Sequence, residues 1–249
     1  MGPGAQQTRR WPYPARKARV LASAPTEPTR SPLRRGRRIG ILGGSFNPAH
    51  AGHMSLTLEA LRRLRLDQVW WLVSPQNPLK PKAGMSEFGE RLRGARALAR
   101  HPRIRVSDIE AGLGTRYTAD TLAALRRRFP RLAFVWLMGA DNLIQIPAWQ
   151  HWGKIFRLVP VAVFARPTYC LGALAAKAAR RFAGSRMPEA MASRLAMRQP
   201  PAWVFVHGRL DPASATAIRA ERAGKTKKAK ARTRREAKVQ PAKDDSHRS

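Results

Sequence analysis

The chain has 249 residues, 43% of them hydrophobic, which is enough for one folded domain with tails. Cys170 is its only cysteine, which excludes an intramolecular disulfide and a cysteine-ligated zinc site. No apolar run approaches the roughly 20 residues that span a membrane, so we expect a soluble, cytoplasmic protein without a membrane partner. The formal net charge is +33.

About half of the positive charge lies in the two ends of the chain. Residues 1–38 carry ten Lys or Arg against one acidic residue, and residues 219–249 carry twelve against four. Segments this polar bury too little apolar surface to offset the entropy lost on ordering. We therefore predict a disordered basic extension over 1–37, a folded domain over 38–220 and a disordered basic tail over 221–249. Nucleic-acid binding stays open for these two ends only, because basic tails hold phosphate backbones without sequence preference.

Short apolar runs alternate with amphipathic segments between the two ends. The apolar runs predict strands at 39–44, 69–73, 104–109, 132–139, 159–166 and 203–206. The amphipathic segments predict helices at 51–65, 86–100, 118–129, 149–156 and 171–182, and a last one that opens at Ser214. Ser86 and Thr118 are candidate N-caps. This alternation predicts an α/β fold, a Rossmann-like, doubly wound and mostly parallel sheet with helices on both faces.

Ligands of such sheets bind beyond the carboxyl ends of the strands. The segment after the first predicted strand reads GGSFNPAHAGH, residues 43–53. Its glycine pair lets backbone amides approach an anion, and the following helix start adds its dipole. The spacing matches neither the G-x-G-x-x-G dinucleotide motif nor the Walker P-loop.

His50 and His53 stand three residues apart at that helix start, so both rings can face the same side. Taken alone, the pair fits a metal site, a phosphate cradle or an ordinary loop. A zinc site would need further ligands, and the remaining histidines occur in no supporting pattern. A phosphate cradle fits better, because imidazole N–H groups and helix-end amides can stabilise charge on a phosphoryl group.

Five segments in chain order resemble the HxGH nucleotidylyltransferases, and more narrowly the bacterial nicotinate-nucleotide adenylyltransferases. They are GGSFNPAHAGH (43–53), NPLK (77–80), GTRYTADTL (114–122), GADNLIQIPAWQHW (139–152) and SATAIR (214–219). Leu79 stands where that family has a histidine. Five matches spread over most of the chain are specific, whereas one HxGH alone would not be.

The resemblance implies that the chain joins nicotinate mononucleotide to the AMP part of ATP, releasing pyrophosphate and forming nicotinate adenine dinucleotide, the precursor of NAD. The mononucleotide phosphate attacks the α-phosphorus directly, so no enzyme nucleophile is expected. Mg²⁺ is the implied cofactor, held largely by phosphate oxygens and water, with no protein metal site.

The resemblance also implies roles for individual residues. The implied catalytic residues are His50, His53, Lys80 and Arg219. The implied ATP-binding residues are Gly43, Gly44, Ser45, Phe46, His50, His53, Asp141, Ser214, Thr216 and Arg219. The implied nicotinate mononucleotide-binding residues are Lys80, Tyr117, Thr118 and Trp149, with Trp149 stacking on the pyridine ring.

Several alternatives stay open at this point. The less favoured alternatives are helix capping for Asp141, Ser214 and Thr216, packing for Trp149, and a solvated loop position for Lys80. Pantetheine phosphate or nicotinamide mononucleotide could replace the acceptor, and an RNA-binding protein built on an inactive domain is the alternative from another class. The oligomeric state is not predicted.

Overall fold

The computed structural model describes residues 36–75, 84–166 and 169–208. Its strands are β1 (Arg38–Gly44), β2 (Gln68–Val73), β3 (Ile104–Ser107), β4 (Ala133–Gly139), β5 (Val161–Phe164), β6 (Arg186–Met187) and β7 (Trp203–Val206). Its α-helices are α1 (Ala51–Arg63), α2 (Phe88–Leu98), α3 (Ile109–Gly112), α4 (Thr118–Arg128), α5 (Ala140–Gln145), α6 (Trp152–Leu158), α7 (Cys170–Leu174) and α8 (Lys177–Arg181). Short 3-10 helices span Ile146–Ala148, Ala183–Ser185 and Glu189–Met197.

The strands within these ranges form one sheet in the order β3-β2-β1-β4-β5-β7-β6, and every pairing is parallel. The chain builds outward from β1 to β3 and then returns to the other side of β1, where β4 pairs. The strand order therefore reverses between β1 and β4. Open α/β sheets bind ligands beyond the carboxyl ends of the strands at such a switch point. The predicted doubly wound α/β fold is confirmed.

The sheet is buried on both faces, as its continuous apolar strands predict. In β2, Val69, Trp71 and Val73 belong to the core that α1 and α2 cover. The alternate residues Trp70 and Leu72 belong to the opposite core, which α4, α5 and α6 cover. Each face thus holds its own hydrophobic layer, and the free carboxyl edge is left for ligands.

Both predicted N-caps were wrong. The N-cap of α2 is Glu87, one residue after Ser86, and the N-cap of α4 is Tyr117, so Thr118 is already the first helical residue. Neither cap residue bonds the helix start through its side chain. The polar residues that suggested these caps therefore do not mark the two helix starts.

Several boundaries also differ from the prediction. The helix predicted at 171–182 is two helices, because Ala176 is extended and separates α7 from α8. The helix predicted at 149–156 begins only at Trp152, and the third strand ends at Ser107 before the unpredicted α3. The two-residue strand β6 was also missed, because it exists only through its pairing with β7.

Some predictions lie outside the described residues, namely most of both basic ends and the helix that opens at Ser214. Within the part of the chain that the structure describes, none of the helices is long and apolar enough to cross a membrane.

Replacing Gly40 by alanine should destabilise the sheet. A Cβ there would lie 2.7 Å from Leu66 Cδ1 and 2.8 Å from Leu137 Cδ1, and both leucines are buried. Overpacking of this kind costs about 1–3 kcal/mol of unfolding free energy. Urea unfolding of Gly40→Ala measures the loss.

Gly94 provides the matched control, because it lies inside α2 and a Cβ added there would have nothing within 4 Å. Gly94→Ala should leave stability unchanged or raise it by up to about 1 kcal/mol, since alanine favours helix more than glycine does. Equal losses in both variants would contradict the packing explanation.

Candidate active site

A cavity of about 260 Å³ opens at the carboxyl edge of the sheet beside β1. Its walls come from the ends of β1 and β2, from β4, from α3, and from the segments around the start of α4 and before α6. The residues that line it are Gly43, Gly44, Leu72, Ser74, Glu110, Arg116, Tyr117, Thr118, Thr121, Trp136, Ala148, Trp149 and Gln150. Five predicted site residues are among them, namely Gly43, Gly44, Tyr117, Thr118 and Trp149.

The floor of the cavity depends on the contact between β1 and Trp136 of β4. A Cβ on Gly43 would lie 2.5 Å from Trp136 Cη2, so only glycine leaves room for the indole. The Trp149 ring stands edge-on to Trp136, with 6.3 Å between the ring centroids. Trp152, a second tryptophan close in sequence to Trp149, instead packs edge-on against Phe156 and Phe182. The cavity is therefore walled by two aromatic rings, a surface suited to a flat ring of a ligand.

The chain leaves β1 through a tight turn that precedes α1. Phe46 adopts a left-handed backbone conformation, with φ of 47°, and its side chain is 2% exposed. Its ring stacks on Trp71 at a centroid distance of 5.1 Å and touches the His53 ring at 4.7 Å. Since Ser45 is also buried, the turn is held by side chains that face the protein.

His50 and His53 lie together at the start of α1, with 3.9 Å between their ring centroids. The backbone N–H of His50 donates to His53 Nδ1 over 3.2 Å. A neutral His53 therefore carries its proton on Nε2. The Thr57 hydroxyl donates to the backbone carbonyl of His53 and accepts from Trp71 Nε1, which holds the His53 backbone in place.

The start of α4 forms another wall of the cavity. Tyr117 is its N-cap and Thr118 its first residue, and the tyrosine carbonyl accepts from the amides of Asp120 and Thr121. Helix starts of this kind favour anions. Arg116, just before the cap, is the one basic side chain among the residues that line the cavity.

Asp141 lies outside the cavity wall, in the first turn of α5. Its Oδ1 is 3.3 Å from Nε of Arg166, which lies two residues after β5. A Cβ on Gly139 would lie 2.4 Å from that carboxylate oxygen and 2.9 Å from the guanidinium, so this ion pair also depends on a glycine.

The structure thus brings together the predicted residues of the β1 turn, the two histidines and the predicted pyridine-binding segments at one edge. Lys80, Ser214, Thr216 and Arg219 lie outside the described residues. Among the residues that are described, no three His, Cys, Asp or Glu side chains converge into a group that could hold a metal ion.

Comparisons with known proteins agree with this arrangement. The cytidylyltransferase-like family profile matches residues 41–221. A "Probable nicotinate-nucleotide adenylyltransferase" of Parvibaculum lavamentivorans is 55% identical over 189 residues, which are 76% of this chain and 94% of the relative. One of the same name from Methylorubrum extorquens is 56% identical over 182 residues, 73% of this chain and 98% of the relative.

The chain belongs to the nicotinate-nucleotide adenylyltransferase family. A solved structure with the same fold is Plasmodium falciparum nicotinic acid mononucleotide adenylyltransferase complexed with NaAD, at a TM-score of 0.56 and 16% identity. The match covers 74% of this chain and 83% of that one. The resemblance inferred from the five sequence segments is confirmed at the level of the family.

Glu110, whose buried carboxyl group lines the cavity, was not identified from the sequence. Thr121 Oγ1 donates to Glu110 Oε1 over 2.9 Å, and Thr121 also pairs with the Thr115 hydroxyl. Burial raises the pKa of the Glu110 carboxyl, although hydrogen bonds from Thr121 and Ser74 oppose the shift. The sequence offers only an acidic residue after a short strand, which is no signal of burial.

Glu110 should make the protein less stable as pH rises. Its pKa is higher in the folded chain than in the unfolded one, so between the two values the folded state binds more protons. Its stabilising contribution is complete below the unfolded value near 4.5 and is lost as pH rises through the folded value. Glu110→Gln, which keeps an acceptor for Thr121, should lack this loss.

The measurement is urea unfolding of Glu110→Gln and of the original chain at a series of pH values upward from about 4. The difference between their unfolding free energies should shift in favour of the variant as pH rises. A difference that stays constant with pH would contradict the raised pKa.

Proposed function

We propose that this chain transfers the adenylyl group of ATP to nicotinate mononucleotide, giving nicotinate adenine dinucleotide and pyrophosphate. The observation that carries the proposal is the meeting of the β1 turn, the histidine pair and an aromatic cavity at one sheet edge. The turn and histidines offer phosphate donors, and the cavity offers a place for the pyridine ring. Relatives more than half identical over most of the chain carry the corresponding name.

The reaction needs positioning rather than a covalent intermediate. An oxygen of the mononucleotide phosphate forms a bond to the α-phosphorus of ATP, and the bond from that phosphorus to pyrophosphate breaks. In our proposal Gly43 and Gly44 leave the backbone open to the phosphates, while Ser45 and Phe46 present amides. His50 and His53 stabilise charge on the transferring group, a task for preoriented donors in a water-poor site.

The pyridine nucleotide occupies the cavity in this proposal. Trp149 packs against its ring, and the backbone amides at the start of α4, around Tyr117 and Thr118, receive the nicotinate carboxylate. Asp141 accepts from a ribose hydroxyl. The roles inferred for Lys80, Ser214, Thr216 and Arg219 from the sequence resemblance are retained as part of the proposal.

A divalent metal, Mg²⁺ in our proposal, fits this site as a companion of ATP. The residues described around the turn supply N–H donors and imidazoles rather than converging carboxylates, which suits an ion held by phosphate oxygens and water. When bound, the ion neutralises charge on the phosphates. We place the activity in the cytoplasm and leave nucleic-acid binding to the two basic ends.

The test of the proposed function is purified protein with ATP, Mg²⁺ and nicotinate mononucleotide, followed by release of pyrophosphate and appearance of the dinucleotide. Nicotinamide mononucleotide and pantetheine phosphate serve as competing acceptors. Absence of pyrophosphate with every acceptor, or a preference for pantetheine phosphate, would overturn the proposal.

His53→Ala should lower kcat by at least about tenfold, equivalent to about 1.4 kcal/mol of barrier, because it removes the Nε2–H donor. His101→Ala is the matched histidine control. His101 precedes β3, so it lies at the amino ends of the strands, whereas the site lies at their carboxyl ends. The kcat of His101→Ala should match that of the original chain. Loss below about tenfold in His53→Ala would contradict the role given to His53.

Arg116→Gln should raise KM for nicotinate mononucleotide by about two- to fivefold, because an exposed cation near a carboxylate contributes up to about 1 kcal/mol. KM for nicotinamide mononucleotide, whose pyridine substituent is neutral, should stay almost unchanged. Arg127→Gln is the control, as Arg127 is exposed near the far end of α4. Equal effects on both mononucleotides would show that Arg116 does not recognise the carboxylate.

A further inference from the structure

Arg91, in α2, is unusual for an arginine because its side chain is buried, with only 4% exposed. Its Nη1 donates to the Ser45 carbonyl over 2.6 Å and to the Ser74 carbonyl over 2.8 Å. Its Nη2 donates to the Pro75 carbonyl over 2.8 Å, and its Nε to the Ser86 carbonyl over 3.0 Å. One side chain therefore joins the β1 turn, the end of β2 and the approach to α2.

All four acceptors are neutral main-chain carbonyls. None of the ion pairs found among the described residues includes Arg91. Burial lowers the pKa of the guanidinium, but arginine stays protonated in proteins. A buried cation that pairs with no carboxylate of the described residues is costly to keep, and here it lies directly behind the turn that faces the proposed ATP phosphates.

The bond to Ser45 also fixes the direction of a peptide group. In a trans peptide the carbonyl and the next N–H point to opposite sides, so the Phe46 N–H points away from Arg91. The Phe46 nitrogen lies 3.9 Å from where a Cβ on Gly44 would stand, and Gly44 lines the cavity. By holding the Ser45 carbonyl inward, Arg91 keeps the Phe46 N–H on the opposite side of the turn.

Asn47 ties the same segments a second time. Its Nδ2 donates to the Gly84 carbonyl over 3.0 Å, and its Oδ1 accepts from the Ser86 amide over 3.3 Å. The β1 turn is thus connected to the approach to α2 by two side chains, of which only Arg91 carries charge.

We propose that Arg91 is a positioning residue for adenylyl transfer, acting through the Ser45 carbonyl and through its buried positive charge. It orients the β1 turn so that the turn amides face the ATP phosphates, and its charge draws those phosphates to the turn. The inference rests on the proposed function for its reaction, but its effect on ATP binding can be measured separately.

The test compares Arg91→Lys with Arg91→Met. Lysine keeps the charge but cannot replace a planar fork that spans four carbonyls, so kcat should fall by at least about tenfold. Methionine also removes the charge and should lower kcat further. KM for nicotinate mononucleotide should change by less than about threefold, because Arg91 does not line the pyridine cavity.

Variants of two neighbouring residues in α2 distinguish a positioning role of Arg91 from a general loss of stability. Leu92→Ala removes a buried apolar side chain next to Arg91 and should lower Tm while leaving kcat within about twofold at 25 °C. Arg93→Lys changes an exposed arginine of the same helix and should leave both unchanged. The proposal is overturned if Arg91→Lys keeps kcat within about twofold of the original chain. It is also overturned if Arg91→Lys and Leu92→Ala have the same Tm and Arg91→Lys shows no greater loss of kcat than Leu92→Ala.

A separate measurement tests Arg91 even if the proposed reaction is not the one that this chain catalyses. If the original chain forms no dinucleotide, the rise in Tm caused by ATP with Mg²⁺ still reports on the turn. That rise should shrink in Arg91→Lys and persist in Leu92→Ala. An undiminished rise in Arg91→Lys would overturn the positioning role whatever acceptor the enzyme uses.

Discussion

The parallel pairing of β1 with β2 on one side and with β4 on the other brings three strand ends to one edge of the sheet. Because the crossover helices leave β1 toward one face and β4 toward the other, the edge between them stays open. Gly43 at the end of β1 lets the Trp136 ring lie against the strand, and Gly44 beside it lines the cavity. The site is therefore a consequence of strand order first and of particular side chains second.

The chemistry available at this edge is that of oriented N–H donors. The proposed reaction relies on the amides of the β1 turn, the Nε2 of His53 and the first turn of α4, all of which are N–H donors. Phosphoryl transfer between two substrates needs such donors and needs no enzyme nucleophile. Trp136 and Trp149 give the adjoining cavity aromatic walls, and electrostatic contacts are stronger where such walls exclude water.

Much of this arrangement could be predicted from the sequence, because its signals are local. The continuous apolar runs of β2 and β4 identify buried strands, and the GGSF turn identifies the end of β1. The starts of α2 and α4 could not be placed, since neither N-cap bonds through its side chain. Arg91 and Glu110 reveal nothing by their neighbours in sequence, because their partners lie on other elements of the fold. The four candidate residues outside the described ranges keep the status of predictions.

The position of β1 at the centre of the sheet also constrains how the chain acquires its shape. Arg38 pairs with Ala133, a residue far along the chain, whereas the partners of β1 on its other side come from the much nearer β2. During synthesis the first half-sheet can form early, but one long edge of β1 stays unpaired until β4 leaves the ribosome. Contacts between such distant segments are slow to form. An incomplete nascent chain therefore exposes an apolar strand edge to aggregation, the hazard that chaperones counter.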